Sequence, residues 1–462
     1  MMNKWLRRTN AAVRSVAVLG IFVLLTYFLQ SMTGWQWDFT KNKSFTLSEQ
    51  TIAALTSVED KVNVKLFYTS QDDPVLIREV ADMAEQYALR NKHIKVEQID
   101  LMKEPSLAQQ YGLAGSSLVF ERGTKRKTVG LYEMFSGGED YGAYRFSGEE
   151  KMTQALRSLT SERKATAYVL SGHEELPLSQ VTALRSSLEE DNIQVKELNL
   201  YREGAVPQDA DMVMMLGANK DITDKEAKLL QQYVDDKGKL YIALGFNPDM
   251  SKSWKNIDSL LKHLGVTNKH AVAVEQKKST LYDPFTIVPE YGEHELTSKL
   301  SQYNLLTLLT LGLPLEASST DKLSVEPILK TSTTSYGETD IPRLMQEGSE
   351  RDDKDLAGPL TLGVAVTTTD GKPKAVIIGG SSYIEDQNLY TQGNRDFALN
   401  SMNWLQGNQE QVTIRPRENE AYQIAYLTPG QGKAILWTTV IGFPVLLLGI
   451  GAALWWRRRR AS

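Results

Sequence analysis

The chain has 462 residues, with 52 basic and 57 acidic side chains, five histidines, no cysteine and 41% hydrophobic residues. That length calls for two or more domains, and that composition for a folded chain. The missing cysteines exclude disulfides, thiol catalysis, cysteine-held iron–sulfur clusters and cysteine-ligated zinc.

From the N-terminus, Lys4, Arg7, Arg8 and Arg14 precede an uncharged apolar run from Val16 to Met32. Thr33-Gly34 and bulky Trp35-Gln36-Trp37 follow, where a signal peptidase would need small residues, so the run is expected to be an uncleaved anchor. Trp35 and Trp37 suit the far membrane interface. Ser48 or Thr46 is a candidate N-cap for a helix over "EQTIAALTSV", with Ile52 and Leu55 on one face. Val62, Val64 and Leu66 alternate with polar residues as a half-buried strand does. A helix from Val75 to Leu89, a strand over 94–101, a short helix entered through Pro105 and a hairpin turning at Gly123-Thr124 complete the first domain. This order resembles the thioredoxin fold, but the position of its redox pair reads "TSQDDPVL", without a thiol. Residues 135–150, Gly-rich, acidic and aromatic, read as a surface loop before the helix "EEKMTQALRSLTSE".

A second domain opens at "KATAYVLSGHEE". Strand and helix then alternate through "LSQVTALRSSLEEDN", "IQVKELNL", "ADMVMMLGAN", "TDKEAKLLQQYVDDKGK" and "LYIAL", which predicts a doubly wound parallel sheet. Thr223 and Glu226 have the spacing of a capping box. Residues 276–360 are polar and less regular, with "QEGSERDDKDLAGP" expected as a loop and a helix cap at Thr297 or Ser298. Strand signals return at "TLGVAVTT" and "KAVIIGG", and Trp404 and Leu405 are core anchors on a last amphipathic helix. Ala434 to Trp456 is an uncharged run long enough to span a bilayer, ending in Arg457, Arg458, Arg459 and Arg460.

Lys/Arg clusters stay on the cytoplasmic side, so both termini are expected inside and residues 38–433 outside. The expected organisation is therefore 1–37 anchor, 38–160 thioredoxin-like domain, 161–412 α/β domain, 413–433 linker, and 434–462 second span with its arginine tail. Setting aside the eight basic residues of the two ends leaves 44 of the 52 against 57 acidic ones, a net −13. An acidic ectodomain argues against nucleic acid as a partner, because phosphate binding needs clustered Lys and Arg.

Among chemical motifs, "PGQGKA" (429–434) falls short of a P-loop, "HEELP" has Pro177 where a zinc motif needs its second histidine, and "GGSSY" (379–383) is no nucleophile elbow. Ser171, Gly172, His173, Glu174 and Glu175 remain as the candidate ligand or partner contact. They sit at the carboxyl end of the first parallel strand, where such sheets bind ligands. An imidazole beside carboxylates serves as a general base, a metal ligand, or a local organiser of its turn. No catalytic residue, metal or cofactor is assigned. The candidate classes are an accessory membrane protein, an extracytoplasmic hydrolase centred on His173, and an envelope protein binding polymer.

Several blocks together resemble one family, the gliding-motility-associated auxiliary component of ABC transporters. They are "DFTKNKSFTLSEQT" after the first anchor, "VLSGHEE", "TSTTSYGE", "AGPLTLGVAV", "GNRDFALNSMNWL" with "RP" soon after, and a final span ending in arginines. The resemblance implies a membrane-anchored extracytoplasmic partner of a separately encoded ATPase and permease, held to membrane lipid, with a small-molecule or polymer ligand left open. The second domain also looks like the glutamine-amidotransferase sheet, without its cysteine nucleophile. Where relatives carry an acidic residue after the late strand, this chain has Gly380-Ser381-Ser382.

Overall fold

The computed structural model describes residues 17, 20–24, 26, 46–113, 115–137, 144–160, 164–275, 283–407, 417–419 and 437–460. The chain divides into two compact units, Met1–Met134 with Ser147–Arg417, and Phe135–Phe146 with Glu418–Ser462.

The larger unit begins with α1 (Glu49–Thr56), capped by the Ser48 side chain on the Thr51 amide. Leu55 is buried but Ile52 is exposed, contrary to the expected face. The helix is rotated so that Thr51 Oγ1 donates to Glu149 Oε1 at 2.8 Å, and that inward polar contact displaces Ile52. Next come β1 (Val62–Tyr68), α2 (Pro74–Arg90, capped by Asp73), β2 (Ile94–Asp100), α3 (Pro105–Tyr111), β3 (Ser117–Arg122) and β4 (Lys125–Gly130). The sheet order is β2-β1-β3-β4, with β1 parallel to β2 and antiparallel to β3. Val62, Val64 and Leu66 face its core, as their alternation predicts. Residues 135–150 are not a plain loop. They contain β5 (Phe135–Gly137) and β6 (Tyr144–Phe146), paired so that the Phe135 and Phe146 rings stack 4.9 Å apart. That aromatic contact outweighs the loop-like composition. α4 (Gly148–Thr160) then packs on β3 and β4.

The second sheet is built from β7 (Ala165–Leu170), α5 (Thr182–Glu190), β8 (Ile193–Leu198), β9 (Met212–Ala218), α6 (Asp224–Asp235), β10 (Leu240–Leu244) and α7 (Lys255–His263). Then follow α8 (Glu295–Gln302), β11 (Leu323–Lys330), β12 (Thr361–Thr368), β13 (Pro373–Ile378) and α9 (Asn394–Gln406). Five strands, in the order β13-β10-β9-β7-β8, are parallel. The central β9 and β10 are apolar and buried along their whole length because both faces are covered, whereas the edge strand β8 alternates. Met212, Met214 and Leu216 of β9 enter one core with α5, α8 and α9. Val213 and Met215 enter the other with α6 and α7.

Beyond β13 the sheet is antiparallel: β12 pairs with both β13 and β11, so the sheet is mixed and not wholly doubly wound. The expected irregular stretch 276–360 thus includes, among its described residues, the long strand β11. The cap of α8 is His294 itself, whose Nδ1 accepts from the Leu296 amide at 3.1 Å, and neither Thr297 nor Ser298 takes that role. Trp404 and Leu405 are buried as core residues.

The two sheets are joined through a polar seam. Arg395 on α9 donates to Glu150 Oε1 on α4 at 2.9 Å and to Ser187 Oγ on α5 at 3.1 Å. Asp191 beside it accepts from Gln154 and Asn403, each at 3.0 Å. Burial pushes both the Glu150 and the Asp191 carboxyls up.

In the smaller unit, β5 and β6 form a sheet with Arg417–Asn419. A π-helical turn, Trp437–Gly442, leads into α10 (Phe443–Arg460). Pro444 lacks an amide donor, which accounts for the irregular turn before it. Trp437–Arg457, with mean hydropathy 1.9, is long and apolar enough to cross a membrane. Arg457 to Arg460 form its last turn, and Arg459 lies over the Trp455 ring at 5.1 Å. Arg7, Arg8, Arg14 and most of the first expected span lie outside the described residues.

Candidate functional site

β7 ends at Leu170, and the chain turns across the carboxyl ends of its neighbours. The Ser171 amide donates to Leu198 O of β8 at 3.0 Å, and the Leu176 amide to Leu216 O of β9 at 2.8 Å. Gly172 makes this path possible with φ of +127°, a region closed to most side chains, and an added Cβ would meet Asn199 Nδ2 at 3.2 Å. Glu174 also takes a left-handed backbone, φ +58°, and pairs at the surface with Lys220 at 2.7 Å.

His173 points inward between two carboxylates. Its amide donates to Glu175 Oε2 at 2.6 Å and its Nδ1 lies 3.2 Å from Glu175 Oε1. On the other side Nε2 lies 3.1 Å from Glu226 Oε2. Its carbonyl accepts from the amides of Asn219 and Lys220, which ties the turn to the end of β9. Hydrogen bonding to Glu175 raises the imidazole above its ordinary value, against burial and with the Glu226 charge in support. Burial pushes the Glu175 carboxyl up, but the bonds from His173 outweigh it and hold the group below the usual carboxylate range.

Glu226 is also the capping-box residue of α6, accepting from the Thr223 amide at 2.9 Å and the Thr223 hydroxyl at 2.7 Å. One carboxylate therefore serves a helix end and an imidazolium together. Sequence spacing identified its first task; the second depends on the crossover that brings α6 beneath the turn after β7. With both ring nitrogens engaged, His173 presents no lone pair to a metal or to a substrate proton. Its side chain is only 12% exposed, so the outward surface consists of Gly172, Glu174 and Lys220.

The rest of the carboxyl edge is filled by the chain itself. A Cβ on Gly217 would come within 2.9 Å of both Leu176 Cγ and Ser381 Oγ. The segment after α8 crosses the end of β13, where Leu313 donates to Gly379 O and Thr310 to Ser382 Oγ. Ser382 is thus a tether for that segment. His263 and His270 pair with Asp235 and Asp258 at separate places. Among the described residues no group of three or more His, Asp or Glu is arranged to hold a metal ion.

In the first sheet, Asp72 stands just ahead of α2, within the segment "TSQDDPVL". Its carboxylate accepts from the Thr69 amide, the Thr69 and Ser116 hydroxyls and Tyr132 OH, at 2.5 to 3.0 Å. Burial would raise it, but these four donors lower it. The carboxylate organises the entrance to α2.

The family model described as "ABC-type uncharacterized transport system" matches residues 164–409, more than half of the chain, and a domain of unknown function matches 41–135. No curated protein matches the sequence. Among solved structures, the mmIFT52 N-terminal domain is 17% identical, with 52% of this chain and 97% of that one covered at a TM-score of 0.40. A glutamine amidotransferase from Thermotoga maritima is 10% identical, covering 54% of this chain and 97% of its own, TM-score 0.27. A mutant thioredoxin from Halobacterium salinarum is 18% identical, covering 26% and 90%, TM-score 0.17. Scores this low assign neither fold nor activity.

Proposed function

This chain belongs to the ABC-type uncharacterized transport system family, and from that premise we propose that it is a non-enzymatic, membrane-anchored accessory subunit of an ABC transporter. Family membership carries the reading. It is supported by the apolar helix Trp437–Arg457 and by the engagement of both His173 nitrogens, which suits a fixed surface better than a reacting one.

In this proposal both terminal spans anchor the chain, both termini are cytoplasmic, and a thioredoxin-like domain and an amidotransferase-like domain face outward. A separately encoded ATPase and permease supply hydrolysis and the pathway. Ser171, Gly172 and Glu174 contact a partner or solute, while His173 and Glu175 hold that rim in shape.

Purification of the full chain from its own membranes in mild detergent, after crosslinking, tests the reading. An ATPase and a permease are expected to co-purify, and Glu174→Lys is expected to weaken their recovery. Recovery of neither overturns the proposal.

A further inference from the structure

At the edge of the second sheet opposite His173, before the first residues of β9 and β10, lies an open cleft of about 770 Å³. That volume is within the few hundred to 1,000 Å³ of small-molecule sites. Its walls are the loop 205–211, the last turns of α6 and the turn 236–239, and they mix Val206 with Gln208, Gln232, Tyr233 and Lys239. Lys239 is half-buried, and its ammonium makes no hydrogen bond or salt bridge among the described residues. Asp211 and Asp236 also line the cleft, with Lys237 beside them; Asp211 acts electrostatically on Lys239 and accepts a bond from the Thr166 amide at 2.8 Å.

The carbonyls ending α6, which would repel an anion, are already taken. Gln232 O, Tyr233 O and Val234 O accept from the amides of Asp236, Gly238 and Lys237, and Val234 O also from Lys374 Nζ. Burial pushes the Tyr233 phenol up to about 12, so it stays protonated, with its hydroxyl 3.3 Å from Ala210 O.

We propose that this cleft binds a small solute bearing an oxyanion, a carboxylate or a phosphate, with Lys239 as its counterion. Burial lowers the Lys239 amine below its ordinary value, so an anion seated beside it restores the charged form and makes the amine less nucleophilic. The site lies away from the His173 turn, and the inference does not depend on the partner assembly proposed above.

Trace acetylation of the full chain in mild detergent, read lysine by lysine by mass spectrometry, tests it. Sodium phosphate and sodium succinate are the two probes, and exposed Lys92 is the internal reference. One anion is expected to slow Lys239 labelling saturably, about tenfold when it is present at some ten times its dissociation constant, with Lys92 unchanged. The same anion is expected to raise the Tm of the parent chain and not of Lys239→Met. Which of the two protects distinguishes a carboxylate solute from a phosphate. Protection by neither, equal slowing of Lys92, or an unaltered Tm response in Lys239→Met overturns the proposal. Co-purification of transporter subunits is unaffected by these outcomes.

Discussion

His173 holds two loops together because each ring nitrogen has its own carboxylate. The linkage has a definite sign. A histidine raised in the fold stabilises it fully below the unfolded value, near 6.5, and the contribution is lost as pH rises through the higher folded value. Glu175, held low, contributes above its unfolded value, near 4.5, and loses it as pH falls through the lower folded one. The clasp is therefore at full strength between those two unfolded values. In His173→Gln the Tm deficit relative to the parent is expected to be largest near pH 5.5 and to shrink toward alkaline pH, as thermal melts across that range would read. A deficit constant with pH would remove the charge from the account. Gly172→Ala is expected to cost about 1–3 kcal/mol in denaturant titration, since alanine must adopt a φ of +127°. Of the candidate residues, the turn and its inward-bonding acid were legible from "SGHEE", since glycine and short-range carboxylates act locally. Glu226 was legible only as a cap, because nothing in sequence spacing records that α6 starts beneath His173.

The elements most legible in sequence were those whose environment is uniform along their length. β9 and β10 are buried on both faces, so "MVMMLGA" and "LYIAL" carry no polar interruption. β11 carries a weak strand signal for a physical reason: one face stays partly exposed, Pro327 sits within it, and its register to β12 shifts at Pro327/Leu329 and Leu329/Lys330. Bulges break the two-residue period that identifies a strand. His294 is hard to read as a cap in sequence because an imidazole lone pair seldom takes a task that hydroxyls commonly perform. The start of α6 offers a test at this scale. Thr223→Ala removes the hydroxyl that the Glu226 amide uses and is expected to cost about 1 kcal/mol. Glu226→Gln keeps a capping acceptor but loses the charge facing His173. A Tm loss in Glu226→Gln that vanishes in the His173→Gln background would show that its second task is the ion pair.

Within the larger unit the two sheets meet at a largely buried pair of charges. Arg395 joins α9 to α4 across the seam, and removing one partner of such a buried pair costs about 3–5 kcal/mol because the other is left uncompensated. Arg395→Ala is expected to lower the melting transition, and adding Glu150→Gln is expected to recover part of the loss. No recovery in the double variant would place the cost in packing alone. Both residues were visible in sequence, yet a seam between domains leaves no periodicity to read. The strand order has a consequence for how the molecule is made. β10 is bordered by β9 on one side and by β13 on the other, but β10 ends at Leu244 and β13 begins only at Pro373. A chain emerging from its N-terminus therefore waits with one apolar strand edge uncovered until most of its length has appeared. Such an edge recruits stray strands. A version stopped before Pro373 is expected to be captured by chaperones or to aggregate, and the stretch from Pro373 onward acts as the closing piece of a sheet begun long before it.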